Sequence, residues 1–161
     1  MDDFPNLKNP FHFLATLGGI GNIPYAPGTF GSIFSWLIFI FLSHFVNMFY
    51  VTFIGIFLSI WICEMASKNL INKDHRSIVI DELIGIWIAL LPVLYLADTQ
   101  KERIVYAIAA LLFFRLLDIF KPFPVSYFDE NFKNGTGIVI DDLIAGVMAM
   151  IPSYIILTLL T

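Results

Sequence analysis

Ile78-Val79-Ile80-Asp81-Glu82-Leu83-Ile84-Gly85 returns sixty positions later as Ile138-Val139-Ile140-Asp141-Asp142-Leu143-Ile144, followed by Ala145 and Gly146. Each copy carries adjacent carboxylates where a polar segment gives way to an apolar run, so both pairs are expected in the first turn of a helix. Acids favour helix N-termini, where the macrodipole stabilises each by roughly 0.3–1 kcal/mol. That accounts for one acid per helix but not for a doubled acid in the same frame twice. Four carboxylates in one apolar setting call for cations, and hard carboxylate oxygens suit Mg²⁺, which is held by one or two of them with waters and substrate phosphate. Two such ions a few ångströms apart can activate water on one side of a phosphorus and stabilise the leaving oxygen on the other.

The stretch between the two motifs adds groups that handle phosphate. Arg115 and Asp118 are three apart and share a helix face. They are either a salt bridge sheltering both charges, or Asp118 joins the metal cluster while Arg115 or Lys121 meets phosphate oxygens. Pro122 and Pro124 forbid helix continuation after Lys121 and send the chain into an extended turn. Asp129 and Glu130 fall in the loop that follows, Asp129 being the better candidate for a substrate contact. Gly135-Thr136-Gly137 reads as a tight turn whose N–H groups can face an anion. Near the start, Pro27-Gly28-Thr29-Phe30-Gly31-Ser32 opens a helix, where Thr29 or Ser32 is an N-cap or a phosphate contact. Glu64, at the end of an apolar run, is badly placed for a helix dipole and is a candidate further metal ligand, with an exposed helix end as its alternative. The single cysteine, Cys63, reads as a packed thiol. As a phosphatase nucleophile it would want an arginine six positions on, and position 69 is Asn69.

The elements that must position these groups are apolar. Hydrophobic residues make up 58% of the 161 and charged ones 14%, against roughly 45–50% and 25% in a soluble domain. The expected fold is therefore all-α: a compact helical bundle integral to a membrane, one domain over residues 1–161, with about five long apolar helices and the polar site at one membrane face. The runs are Phe30–Val46, Met48–Cys63, Leu83–Ala97, Ile104–Phe120 and Leu143–Leu160, several of them near the ~20 residues a span requires. Leu83–Ala97 is short and holds Pro92, so a kinked or partly buried helix is as expected there as a span. If all five cross, both acidic motifs face one compartment, together with Lys8, Lys68, Lys73, Arg76, Lys121 and Lys133, while Lys101 and Arg103 face the other. The positive-inside rule makes the motif side cytoplasmic, and the net charge of -4 does not oppose this because acids contribute little to orientation. Asp2 and Asp3 stand where a cleaved signal peptide would be basic. No nucleic-acid partner is expected.

The combination of Pro27-Gly28-Thr29, the stretch ending in Asp81-Glu82, and the block from Arg115 through Asp118, Lys121-Pro122, Pro124, Asp129 and Gly135-x-Gly137 to Asp141-Asp142 and Gly146 resembles the phosphatidylglycerophosphatase A family. The resemblance covers most of the chain, and the last block is highly specific. It implies a bacterial inner-membrane, all-helical enzyme that removes the terminal phosphate of phosphatidylglycerophosphate to give phosphatidylglycerol, with Mg²⁺ required. On it, Asp81, Glu82, Asp118, Asp141 and Asp142 are candidate catalytic residues, with Glu64, Asp81, Glu82, Asp141 and Asp142 as candidate metal ligands. Thr29, Arg115, Lys121 and Asp129 are the candidate substrate contacts. The segment Lys73-Asp74-His75-Arg76 departs from the more polar stretch common in the family without removing an acid.

Other lipid phosphatase chemistries lack their parts here: there is no Asp-x-Asp-x-Thr/Val nucleophile motif, no Pro-Ser-Gly-His segment and no Asp-Gly-x-x-Ala-Arg pattern. A polar site at a membrane face suits a phospholipid whose phosphate lies at the interface while its chains stay in the bilayer. The competing class is a divalent-cation transporter or channel, which also places acids at helix ends. It would need acids in the middles of the apolar runs, and these hold none.

Overall fold

The computed structural model describes residues 4–132 and 134–160; Asp2, Asp3 and Lys133, used above for the chain start and the charge balance, lie outside them. Every regular element among the described residues is helical. A short helix α1 (Pro10–Ala15) and a 3-10 turn (Ile20–Asn22) precede α2 (Pro27–Leu42), α3 (Met48–Ser67), α4 (Ile80–Leu90), α5 (Val93–Leu96), α6 (Gln100–Phe120), α7 (Val125–Asn131) and α8 (Gly135–Leu160). The starts follow local chemistry. Asn9 and Asn47 accept the N–H groups of Phe11 and Phe49, and Thr99 with Glu102 forms a capping box at α6.

α4 and α8 form the centre. α4 packs against α2, α3, α6 and α8, while α8 packs against α3, α4, α6 and α7. Ile84, Ile86, Leu90, Tyr106, Phe114, Ala145 and Ala149 fill the space between them. The polar tips of buried aromatics find backbone acceptors, as this burial requires: Trp87 donates to the Ser35 carbonyl at 2.9 Å and Tyr106 to that of Ala89 at 3.2 Å.

The outward faces are apolar as well. Phe30, Phe34, Leu37 and Phe41 on α2, Phe53, Phe57 and Trp61 on α3, and Val147, Ile151, Ile155 and Leu159 on α8 are all exposed. Their spacing of three or four residues lines them up as stripes along each helix.

Length separates the expected crossings. α3, with 20 residues, and α8, with 26, are long and apolar enough to cross a membrane, whereas α2 has 16. The run Leu83–Ala97 is divided between α4 and α5, because Pro92 cannot supply the N–H that would continue α4. α6 is long but carries Lys101, Glu102 and Arg103 at one end and Arg115 and Asp118 toward the other. By length and composition the expected five long apolar helices therefore reduce to two among the described residues.

Candidate active site

The acidic site is built by a close crossing of α4 and α8. A Cβ placed on Gly146 would lie 2.3 Å from the Gly85 carbonyl oxygen, and one on Gly85 would lie 2.9 Å from the Asp142 carbonyl oxygen. Only glycine lets the two backbones approach so closely. Gly85 follows Asp81 by four residues and Gly146 follows Asp142 by four, so glycine and acid share a face on each helix. The crossing thus sets the acids against one another. Oxygens of Asp81, Glu82 and Asp142 all lie within 4.8 Å of one another.

Asp81, Glu82, Asp141 and Asp142 are between 3 and 9% exposed. Asp81 Oδ1, Glu82 Oε2, Asp141 Oδ1 and Asp142 Oδ2 are buried with no hydrogen-bond partner. Burial pushes the carboxyls of Asp81 and Glu82 up, the latter to about 8; the Glu82 charge adds to the effect on Asp81, and the Asp142 charge adds to that on Glu82. A buried unpaired carboxylate is costly, and like charges at this distance raise the cost. An all-oxygen donor set with unsatisfied lone pairs fits a hard divalent cation of the Mg²⁺ type, and Asp81, Glu82 and Asp142 are the residues that would hold it.

Two cations border the acids. Arg115 on α6 pairs with Asp118 and lies 3.9 Å from Glu82. Its Nη1 also donates to Ser32 Oγ at 3.3 Å and its Nη2 to Thr29 Oγ1 at 3.4 Å in the first turns of α2, while Nε is buried without a partner. That approach depends on Gly28, whose Cβ would fall 2.3 Å from Glu82 Oε1 and 3.2 Å from an Arg115 nitrogen. Lys121 ends α6 in the left-handed conformation, φ 43°, a strained state for a residue with a side chain. The turn aims its Nζ between Asp129, at 2.5 Å, and Asp141, at 2.7 Å. Burial pulls the lysine pKa down, but the hydrogen bonds from Asp129 and Asp141 outweigh it and leave Lys121 above its ordinary value.

Several expectations are placed differently. Asp81 and Glu82 do occupy the first turn of α4, but Asp141 and Asp142 lie beyond the first turn of α8, which begins at Gly135. The Gly135-Thr136-Gly137 stretch is that first turn, because Asn134 Oδ1 accepts the Gly137 N–H at 2.8 Å and Glu64 Oε2 accepts the Gly135 N–H at 2.8 Å. Glu64 is therefore placed at the positive end of α8, apart from the three acids that converge. Asp129 and Glu130 sit on α7 rather than in a loop, since the chain re-enters helix directly after Pro124 and buries Val125. Thr29 and Ser32 do not cap α2, whose N-cap is Ala26.

Sequence reasoning passed over Gly28 as a space-maker and Ser32 as an acceptor for Arg115. The signal was a glycine inside the first turn of a helix, with two hydroxyls three residues apart on one face. It also passed over a cleft of about 440 Å³ beside the acids, walled by Asn72, Lys73 and Asp74 on one side and Asp129, Gly137 and Asp141 on the other. Among the described residues, and leaving aside Lys73 and Asp74 on the far cleft wall, six carboxylates, those of Asp81, Glu82, Asp118, Asp129, Asp141 and Asp142, face two cations, Arg115 and Lys121. The formal excess is four negative charges.

The family described as phosphatidylglycerophosphatase A matches residues 13–157. The Escherichia coli (strain K12) protein named phosphatidylglycerophosphatase A is 38% identical over 146 residues, covering 89% of this chain and 81% of its own. A Haemophilus influenzae protein of the same name is 37% identical over 154 residues, covering 94% and 91%. A Bacteroides thetaiotaomicron relative, provisionally named a phosphatidylinositol-3-phosphatase, is 34% identical over 155 residues, covering 90% and 94%. No solved structure matches the chain.

Proposed function

The chain belongs to the phosphatidylglycerophosphatase A family, and from that premise we propose that this lipid phosphatase hydrolyses the terminal phosphate of phosphatidylglycerophosphate, with Mg²⁺ as its cofactor. The observation that carries the reading is the convergence of Asp81, Glu82 and Asp142, buried and within 4.8 Å, beside Arg115 and Lys121. Divalent cations held by these acids and by Asp141 would offset the excess negative charge and polarise a phosphate oxygen, which is the chemistry a phosphomonoester requires.

The chain's own groups do the rest. Arg115, already donating to Thr29 and Ser32, presents a planar fork that matches phosphate oxygens. Asp118 holds that guanidinium in place. Lys121 brings a point charge to Asp141 on the cleft wall, and Asp129 fixes its direction. Gly28 keeps α2 close enough for Thr29 to take part. Burial of the acids keeps bulk water from screening these charges.

The setting supports a membrane-bound substrate. Exposed stripes of Phe, Ile and Leu along α2, α3 and α8 make the kind of extended apolar surface that marks a membrane or partner contact. Lipid is the solvent they suit. We place the protein in the bacterial inner membrane as a multi-pass protein. Lys101 and Arg103 stand at the end of α6 opposite Lys121, and the larger share of basic residues on the acidic side supports a cytoplasmic site. An ion-conduction role lacks support: the apolar stretches Met48–Cys63 and Leu143–Leu160 hold no charged residue, so a path through them has no stepping stones.

The test is phosphate release by the purified protein from phosphatidylglycerophosphate, phosphatidic acid and phosphatidylinositol 3-phosphate, with Mg²⁺ and with a chelator. Release from the first, abolished by the chelator, is expected. No release from phosphatidylglycerophosphate, or equal release under chelation, overturns the reading.

A further inference from the structure

The substrate proposed above carries two phosphates, a terminal monoester and the diester that joins the two glycerols, and the site beside the acids accounts only for the first. The cleft of about 440 Å³ lies within the roughly 300–1,000 Å³ range of small-molecule pockets. It runs from Asp141 and Gly137 out to the loop Ile71–Asp74. Three carboxylates line it, those of Asp74, Asp129 and Asp141, and Lys121 is set against the latter two.

Lys73 is differently placed. Its ion-pair partner is Glu64, at 3.5 Å, and the two side chains are 33% and 48% exposed. Such an exposed, long pair is worth little. Glu64 is meanwhile held through its other oxygen by the Gly135 N–H at 2.8 Å, so it stays bonded when Lys73 leaves. A lysine on a cleft wall, tied weakly to a partner that can spare it, is free to turn to an anion, where its hydrogen bonds are charge-assisted. Asn72 on the same wall offers an amide that can both donate to and accept from a hydroxyl. Phe132 and Ile138 supply apolar wall for the carbons between.

We propose that this cleft is the subsite for the glycerol phosphodiester part of the lipid headgroup, with Lys73 binding the diester oxygens. The proposal rests on the reading of the site as a phosphomonoesterase for a lipid that also carries a diester.

The experiment uses the full chain in detergent micelles and measures inhibition of phosphate release by two soluble probes. Glycerophosphoglycerol carries the diester without the monoester; inorganic phosphate carries neither glycerol nor diester. Both should inhibit the wild type. Lys73→Gln should raise the inhibition constant of glycerophosphoglycerol at least about tenfold, equivalent to about 1.4 kcal/mol, while leaving that of phosphate within about twofold, and Lys73→Arg should recover most of the difference. Equal changes for both probes, no change for either, or a wild type insensitive to glycerophosphoglycerol would each overturn the assignment while phosphate release stands. A wild type that releases no phosphate refutes the underlying reading, and this one with it.

Discussion

Replacing Gly146 by alanine adds a single methyl group at the point where α4 and α8 touch. Its Cβ would lie 2.3 Å from the Gly85 carbonyl oxygen and 3.3 Å from Ile88 Cβ, whereas ordinary contact begins near 3.4 Å. The obstructing atom is backbone, so it cannot turn aside, and the helices must part by roughly 1 Å to restore normal packing. Asp142 is one turn away on α8 and Asp81 and Glu82 lie one turn before Gly85 on α4, so the separation is transmitted to the three acids. A misplacement of about 1 Å at reacting groups costs on the order of 100-fold in rate, or about 2.7 kcal/mol. Overpacking of this kind destabilises by about 1–3 kcal/mol, which a folded bundle can survive. Gly146→Ala is therefore expected to fold, to lose about 100-fold in kcat/KM for phosphate release and to bind divalent cation more weakly by calorimetric titration. Val147→Ala, on the exposed side of the same helix, should change neither. Wild-type kinetics and cation affinity in a folded Gly146→Ala protein would refute the claim that this crossing sets the geometry of the acids.

Lys121→Gln should lower kcat/KM about 10- to 100-fold, or about 1.4–2.7 kcal/mol; near-normal kinetics with a large fall in melting temperature would make the lysine purely structural. The folded pKa of Lys121 is raised, so its contribution to stability is fully present below the unfolded value of about 10.4 and is lost as pH rises beyond it toward the folded value. Thermal melts should accordingly show the gap between wild type and Lys121→Gln narrowing above about pH 10, and a gap that widens there would contradict the assignment. Glu64→Gln retains an oxygen for the Gly135 N–H and should keep activity within about threefold, while Glu64→Ala should cost about 1 kcal/mol of stability by removing a helix-end acceptor. Loss of cation binding in Glu64→Gln would instead make Glu64 a ligand.

Much of this arrangement is local, and local features can be read from residue types. The repeated acid pair reads as one cation-binding cluster, and the structure brings Asp81, Glu82 and Asp142 together. Pro92 divides a run and Pro122 with Pro124 ends α6, because proline acts on its own backbone whatever surrounds it. What escaped reading depends on distant partners. Two glycines weaken a helix start, so Gly135–Gly137 reads as a turn until Glu64, 71 positions away, supplies an acceptor for its N–H. α7 forms against α8 through the burial of Val125, which no propensity of Val125-Ser126-Tyr127 announces. Gly28 matters only because Glu82 and Arg115 stand over it. Of the five long apolar runs, two are helices of crossing length among the described residues. Hydropathy measures how apolar a run is, and does not say whether its large side chains stay exposed, as Phe53, Phe57 and Trp61 do on α3, or are buried in protein, as Ile84, Ile86 and Leu90 are on α4.

On the function proposed above, Asp81, Glu82 and Asp142 hold the cation on which hydrolysis of the lipid phosphate depends. Asn keeps the size of Asp and removes the charge, so Asp142→Asn leaves the helix crossing intact and alters only the donor set. The measurement is the rate of phosphate release from phosphatidylglycerophosphate by Asp142→Asn at saturating Mg²⁺, beside wild type in the same micelles. The expected result is a loss well beyond the ~10–100-fold typical of residues that merely support a metal ligand, in a protein that still melts cooperatively. Release within about tenfold of wild type, with unchanged Mg²⁺ dependence, would contradict it.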